Sequence, residues 1–208
     1  MRIGILGGTF DPPHVGHLLV ASDAVEALGL DRLVFIPNAR QPLKADVVQA
    51  SPADRLAMTH LAAGNDPRFE VDPIEVERGG LSYTVETLTA LAERTPGAER
   101  YFLLGTDAAN SFAQWREPQR IAKLARLALM PRAEGGDDLR DGASVIAAIV
   151  AVTGTHVPPP TMIVTRRVDV SSTEVRERVR TGRAISGFVP EAVARFIEER
   201  GLYRTRHA

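Results

Sequence analysis

The first seventeen residues constrain this chain more than any other stretch. The apolar run Ile3-Gly4-Ile5-Leu6 leads into Gly7-Gly8-Thr9-Phe10-Asp11-Pro12-Pro13-His14-Val15-Gly16-His17, and Leu18-Leu19-Val20-Ala21 continues with helical apolar spacing to Leu28. A strand that turns through glycines into a helix specifies the opening of a β-α-β unit. The glycines let backbone N–H groups approach an anion, and the N-terminus of the following helix adds partial positive charge. His14 and His17 stand three apart, so both imidazoles are expected in the first helical turn, facing one point. Oriented amides beside two imidazoles suit a polyphosphate on which charge builds during phosphoryl or nucleotidyl transfer.

Two familiar alternatives fail on spacing. Gly4, Gly7 and Gly8 have the wrong intervals for G-x-G-x-x-G, and neither G-x-x-x-x-G-K-[ST] nor H-E-x-x-H occurs. A metal site built from Asp11, His14 and His17 is the weaker reading, so no metal-ligating residues are expected. A turn glycine or an N-terminal helix histidine would each be ordinary alone. Their combination at one strand-to-helix junction is not.

Strands and helices alternate along the rest of the chain. Arg32–Ile36 reads as a strand ending at Pro37, and Ser51-Pro52-Ala53-Asp54 as the capped start of a helix running to about Gly64. Residues 69–77 read as strand-like around Pro73, and Thr84–Arg94 as an amphipathic helix stopped by Pro96-Gly97. Tyr101–Leu104 and Leu127–Met130 are short buried strands with a helix over Pro118–Ala125 between them. Met162–Val164 and Val168–Val170 are expected as late strands, before helices near Ser172–Arg180 and Pro190–Arg200 and a C-terminal cap at Gly201. This alternation predicts an α/β, Rossmann-like doubly wound fold: a mostly parallel sheet with helices on both faces. Ligands of such sheets bind outside the strand C-termini, and both Gly7 and Gly105 lie at such ends.

Composition limits the partners. With 208 residues, a net charge of −1 and no cysteine, the chain has no global basic field, no disulfide and no thiol nucleophile. Nucleic acid is therefore not the expected main partner. No signal peptide is expected, and the apolar run Ala143–Val152 is too short to cross a bilayer, which points to a cytoplasmic protein away from membranes. Glu134–Gly142 reads as a polar loop and Pro158–Pro160 as a stiff connector. The whole of 1–208 is thus expected as one domain, with a C-terminal helical part from about 171; a homo-oligomer stays open.

G-G-T-F-D-P-x-H-x-G-H resembles the signature of the nucleotidyltransferase superfamily, whose H-x-G-H element is related to that of class I aminoacyl-tRNA synthetases. Within it the chain is most similar, from Gly7 to Tyr203, to the bacterial nicotinate-nucleotide adenylyltransferases. Val170-Ser171-Ser172-Thr173-Glu174-Val175-Arg176 resembles the family's I-S-S-T-x-I-R, with valine in both isoleucine places. By local physics it is a helix cap with Ser171 or Thr173 capping. The resemblance implies that Ser171, Ser172, Thr173 and Arg176 hold the β,γ-phosphates of ATP. It likewise implies that Gly105 and Asp107, in a G-x-D element, engage a ribose, although an Asp there is also an ordinary helix-start residue. Ser82-Tyr83-Thr84 and Trp115-Arg116 resemble the elements forming the nicotinate pocket, where the indole stacks on the pyridine and main-chain N–H groups grip the carboxylate. Gln41-Pro42-Leu43-Lys44 departs from the family's P-P-H-K; Lys44 fits a phosphate contact, as does Arg132 near the ATP site. His60 reads as structural, and Arg178, Arg180 and Arg183 as a solvated helix surface.

The resemblance implies direct in-line attack by the 5′-phosphate of nicotinate mononucleotide on the α-phosphorus of ATP. His14, His17, Arg176 and the amides of Gly8, Thr9 and Phe10 would neutralise charge, with Mg²⁺ carried on the ATP phosphates. Three alternatives stay open: a pantetheine-phosphate adenylyltransferase, a cytidylyltransferase, or an idle nucleotide-sensing module of the same fold. The first two would not use Ser82-Tyr83-Thr84 with Trp115.

Overall fold

The computed structural model describes residues 1–42, 49–64, 66–130 and 138–204, the first four of the last stretch by backbone alone. The strands are β1 (Arg2–Gly8), β2 (Arg32–Pro37), β3 (Phe69–Val71), β4 (Glu99–Gly105), β5 (Arg126–Met130) and β6 (Thr161–Met162). The helices are α1 (Val15–Leu28), α2 (Pro52–Ala63), α3 (Ile74–Arg78), α4 (Thr84–Arg94), α5 (Thr106–Asn110), α6 (Pro118–Leu124), α7 (Asp138–Thr153), α8 (Ser172–Arg180) and α9 (Glu191–Glu199). Six strands pair in the order β3-β2-β1-β4-β5-β6, every pair parallel. The chain leaves β1 toward β2 and later returns to β4 on its other side. The strand order therefore reverses between β1 and β4, where a doubly wound sheet opens its ligand crevice.

Alternation along the strands covers both faces. Ile3, Ile5, Val34, Ile36, Phe102 and Leu104 pack with α4, α5, α6 and α7 on one side. Leu6, Leu33, Phe35, Tyr101 and Leu103 meet α1 on the other, where Ala21 and Ala24 are fully buried and let the helix lie close. A third cluster joins Met58 and Ala62 of α2 to Val175, Val193, Ile197 and Tyr203, so α8 and α9 close over α2. Among the described residues no helix is long and apolar enough to cross a membrane.

Local signals with a cap hold closely. The Ser51 hydroxyl accepts the Asp54 N–H at 3.1 Å, Pro52 opens α2, and Gly64 ends it. Gly201 follows α9 with φ 59°, its N–H and that of Leu202 reaching back to the Glu198 and Ile197 carbonyls.

Three stretches differ from the sequence reading. Residues 69–77 are not one strand: β3 stops at Val71, Asp72 Oδ1 accepts the Ile74 N–H at 2.9 Å, and Pro73 starts α3. Val168–Val170 forms no strand, and β6 is only Thr161–Met162. There the Arg166 N–H and guanidinium bond the Asp23 carboxylate of α1 at 2.7 and 2.6 Å, drawing the chain off the sheet edge. Glu134–Gly142 is not all loop, because α7 already begins at Asp138. Gly142 is a helical residue whose added Cβ would lie 2.8 Å from Met162 Cε, so glycine lets α7 pass β6 closely.

Candidate active site

At the C-terminal end of β1 the chain turns over itself. Phe10 takes a left-handed φ of 50° and buries its ring edge-on against His17 and Phe35. This aims the turn back toward α1, whose N-terminus follows at once. His14 is the residue before α1, not part of its first turn, and it is buried, whereas His17 is half-buried. The His14 N–H donates to His17 Nδ1 at 3.1 Å, and the two rings lie 3.7 Å apart, centroid to centroid. An Nδ1 that accepts a backbone N–H leaves the neutral ring's proton on Nε2, so His17 presents a donor at its outer edge. The convergence expected from three-residue spacing is present, but one ring caps the helix and the other answers from within it.

Gly16 is why this fits. A Cβ there would stand 2.9 Å from His14 Nδ1 and 3.3 Å from Val168 Cγ1. The glycine between the two histidines thus clears the space that the His14 ring occupies. The sequence reading treated that position only as part of a pattern.

Asp11 anchors the other side of the turn. Its buried carboxylate accepts the N–H groups of Gln49 (2.8 Å) and Ala50 (3.1 Å) and the Tyr203 hydroxyl (2.7 Å). Burial, then the neighbouring carboxylate, pushes the Tyr203 phenol far above its usual range, so it stays a donor. Arg176 Nη1 donates to the Asp11 carbonyl at 2.7 Å and Nη2 to Thr173 Oγ1 at 3.1 Å. Ser172 Oγ donates to the Pro12 carbonyl at 2.8 Å, and Ser171 Oγ caps α8 by accepting the Glu174 N–H at 3.1 Å. The start of α8 is therefore docked on the glycine turn, which brings the two most distant motifs together. The capping reading is correct for Ser171.

Sequence reasoning missed Arg55. It is fully buried, and it donates to the Thr9 carbonyl (2.7 Å), Asn38 Oδ1 (3.1 Å) and the Ala39 carbonyl (2.9 Å). Asn38 Nδ2 in turn donates to Thr9 Oγ1 at 3.2 Å. One guanidinium thus ties the ends of β1 and β2. Burial pulls it below the usual arginine range, partly offset by Asp11. Its local setting is a single arginine following Asp54 in α2, which reads as a surface residue until the helix is packed.

Across the turn lies a cavity of about 190 Å³. Its wall includes Gly7, Gly8, Tyr83, Thr84, Trp115 and Arg116, so the four residues expected to hold a nicotinate ring share one space that abuts the glycine turn. Trp115 follows a short 3₁₀ turn (Phe112–Gln114), packs against Phe102 and Phe112, and donates from Nε1 to Ser111 Oγ at 3.2 Å. The Arg116 guanidinium lies 4.7 Å from the centre of the Tyr83 ring and pairs with Glu86 at 2.9 Å. Gly105 ends β4 with nothing within 4 Å of where a Cβ would be, and Asp107, exposed in α5, stands beyond it. His14, His17 and Arg176 do not line this cavity.

Lys44 and Arg132 lie outside the described residues. His60 is exposed in the last turn of α2. Arg178 is not simply solvated: its guanidinium sits 4.2 Å from the Phe188 ring centre and donates to the Ala184 carbonyl at 2.7 Å.

Residues 5–178 match the cytidylyltransferase-like family. A curated relative from Gemmatimonas aurantiaca, named a probable nicotinate-nucleotide adenylyltransferase, is 46% identical over 207 residues, covering 98% of this chain and 93% of its own length. A Thermus thermophilus relative of the same name is 41% identical, over 98% of this chain and 100% of its own. Among solved structures, Plasmodium falciparum nicotinic acid mononucleotide adenylyltransferase shares the fold with a TM-score of 0.72 at 18% identity, over 97% of each chain.

Proposed function

The chain belongs to the cytidylyltransferase-like family, and from that premise we propose that it moves the adenylyl group of ATP onto nicotinate mononucleotide, releasing pyrophosphate. The observation that carries this reading is the cavity of Tyr83, Thr84, Trp115 and Arg116 opening directly onto the Gly7-Gly8 turn. An acceptor with its ring in that cavity has its 5′-phosphate near the turn, on the side from which the α-phosphorus of ATP is reached. The curated relatives at 41–46% identity carry the same activity in their names.

In this reading the acceptor phosphate is already an anion and needs no general base. The chain supplies position and donors. The amides of Gly8, Thr9 and Phe10 cradle phosphate oxygens. His17 donates through Nε2–H and His14 from beside it, where negative charge grows at the α-phosphate. Arg176, Ser171, Ser172 and Thr173 hold the leaving pyrophosphate end. Three of these four already bond the turn or each other, so they act as a preset edge. Gly105 leaves open room for a ribose, with Asp107 to accept its hydroxyls.

The nucleotide arrives with Mg²⁺, which neutralises charge on the phosphate chain. Among the described residues no three His, Cys, Asp or Glu converge, and Asp11 is engaged by Gln49, Ala50 and Tyr203. That donor set fits a cation held by phosphate oxygens and water.

The test is pyrophosphate release from ATP with a panel of acceptors: nicotinate mononucleotide, nicotinamide mononucleotide, phosphopantetheine and a sugar phosphate. Turnover with nicotinate mononucleotide supports the assignment. Turnover confined to phosphopantetheine or a sugar phosphate, or with none of the four, overturns it.

A further inference from the structure

Glu75 takes no part in the chemistry above, yet it lines the cavity. Among the described residues it is the sole carboxyl on that wall, and it is 8% exposed. Thr87 Oγ1 of α4 donates to its Oε1 at 2.6 Å, and the Ser82 hydroxyl bonds it from the loop before α4. Ser82 Oγ also accepts the Ala39 N–H at 3.0 Å, so Glu75 is tied through one serine to the strand end that Arg55 clamps. This is a buried, positioned side chain and not a surface acid.

The charges around it do not neutralise it. Arg78, on its own helix, donates to Thr87 Oγ1 at 3.1 Å and lies 3.8 Å from Glu86 of α4. Arg116, from the far wall, is also paired with Glu86. Burial outweighs the two hydroxyls and Arg78, so the Glu75 carboxyl is held above the ordinary carboxylate range, with Glu86 adding to the effect.

We propose that Glu75 determines acceptor specificity in this pocket: as a neutral acid it tolerates an anionic ring substituent, and as a carboxylate it rejects one. The inference rests on the cavity being the acceptor site. A carboxylate of nicotinate would share with Glu75 a desolvated space only about 7 Å across, taking a sphere of the cavity's volume. Two like charges at that separation, at an effective dielectric of about 20, lower binding roughly 50-fold. Relative to the amide, binding of the carboxylate acceptor above the ionisation point therefore favours uptake of a proton from solvent onto Glu75. The carboxamide of nicotinamide, being neutral, requires no such uptake. The pyridinium charge and the 5′-phosphate are common to the two mononucleotides and cancel in a ratio.

The experiment measures kcat/KM for nicotinate and nicotinamide mononucleotides from pH 5 to pH 9, in the wild type and in Glu75→Gln. The wild-type ratio of nicotinate to nicotinamide should fall by roughly 50-fold across the range, at about fivefold per unit where it is steepest. In Glu75→Gln, which keeps an acceptor for Thr87 without a charge, the ratio should be flat. A wild-type ratio constant within about twofold overturns the inference, as does an unchanged slope in the variant. If the variant does not fold, the wild-type ratio decides alone. Absence of turnover with both mononucleotides refutes the functional reading itself, a result distinct from turnover with a constant ratio.

Discussion

Replacing Gly16 with alanine should raise stability slightly and cripple the reaction. Gly16 is the second residue of α1 and its φ is not in the left-handed region, so the backbone accepts alanine without strain. Removing a helix glycine is worth about 0.5–1 kcal/mol. For a chain of this size that raises Tm by about 1–4 °C. The new Cβ would lie 2.9 Å from His14 Nδ1 and 3.0 Å from Cε1, so the ring has to move by roughly 0.5 Å or more to reach ordinary contact. A ring at the end of its side chain can make that shift at little cost, but it loses its place over the helix N-terminus. A misplacement near 1 Å costs about 100-fold, so a kcat reduced by about 10- to 100-fold is expected. The assay is pyrophosphate release at saturating substrates, beside a thermal melt. A kcat within twofold of wild type would refute the placement argument for His14. A Tm lowered by more than about 5 °C would refute the claim that the ring, and not the backbone, yields.

Other variants probe separate parts. His17→Ala should lower kcat by about 10²–10³, with Tm down at most a few degrees for the lost cap on the His14 N–H; near-wild-type turnover would remove the histidine from the chemistry. Arg176→Ala should raise KM for ATP several-fold and also destabilise by about 1–3 kcal/mol, because it bonds the Asp11 carbonyl; unchanged ATP saturation would leave α8 only a structural role. Arg55→Met removes three charge-assisted bonds and should cost about 2–4 kcal/mol, or a Tm fall of about 5–15 °C by calorimetry; a shift under about 2 °C would mean the β1 and β2 ends hold without it. Trp115→Ala should lower kcat/KM about tenfold for both mononucleotides without changing their ratio, since a ring face does not read the substituent; a changed ratio would give the indole a second role.

What the sequence by itself determined is whatever is written in consecutive residues. The passage from β1 through Gly7-Gly8 into α1, the Ser51-Pro52 start of α2 and the Gly105 end of β4 each carry their own turn or cap chemistry. The parallel, doubly wound sheet follows from their alternation. Periodicity misjudged residues 69–77 and 168–170 because strand-like composition there is overruled by a capping Asp72 and by Asp23 on another element. Only the tertiary structure decided the states of the buried polar groups. Asp11 meets Tyr203 across 192 residues and Arg176 across 165, and Arg55 becomes a clamp only once α2 lies against two strand ends. Glu75 reads as one more acid in Ile74–Arg78, and its burial depends on α4 and on the loop at Ser82 folding over it. Desolvation and long-range hydrogen bonding depend on distances between residues far apart in the chain, and no local window of sequence contains those distances.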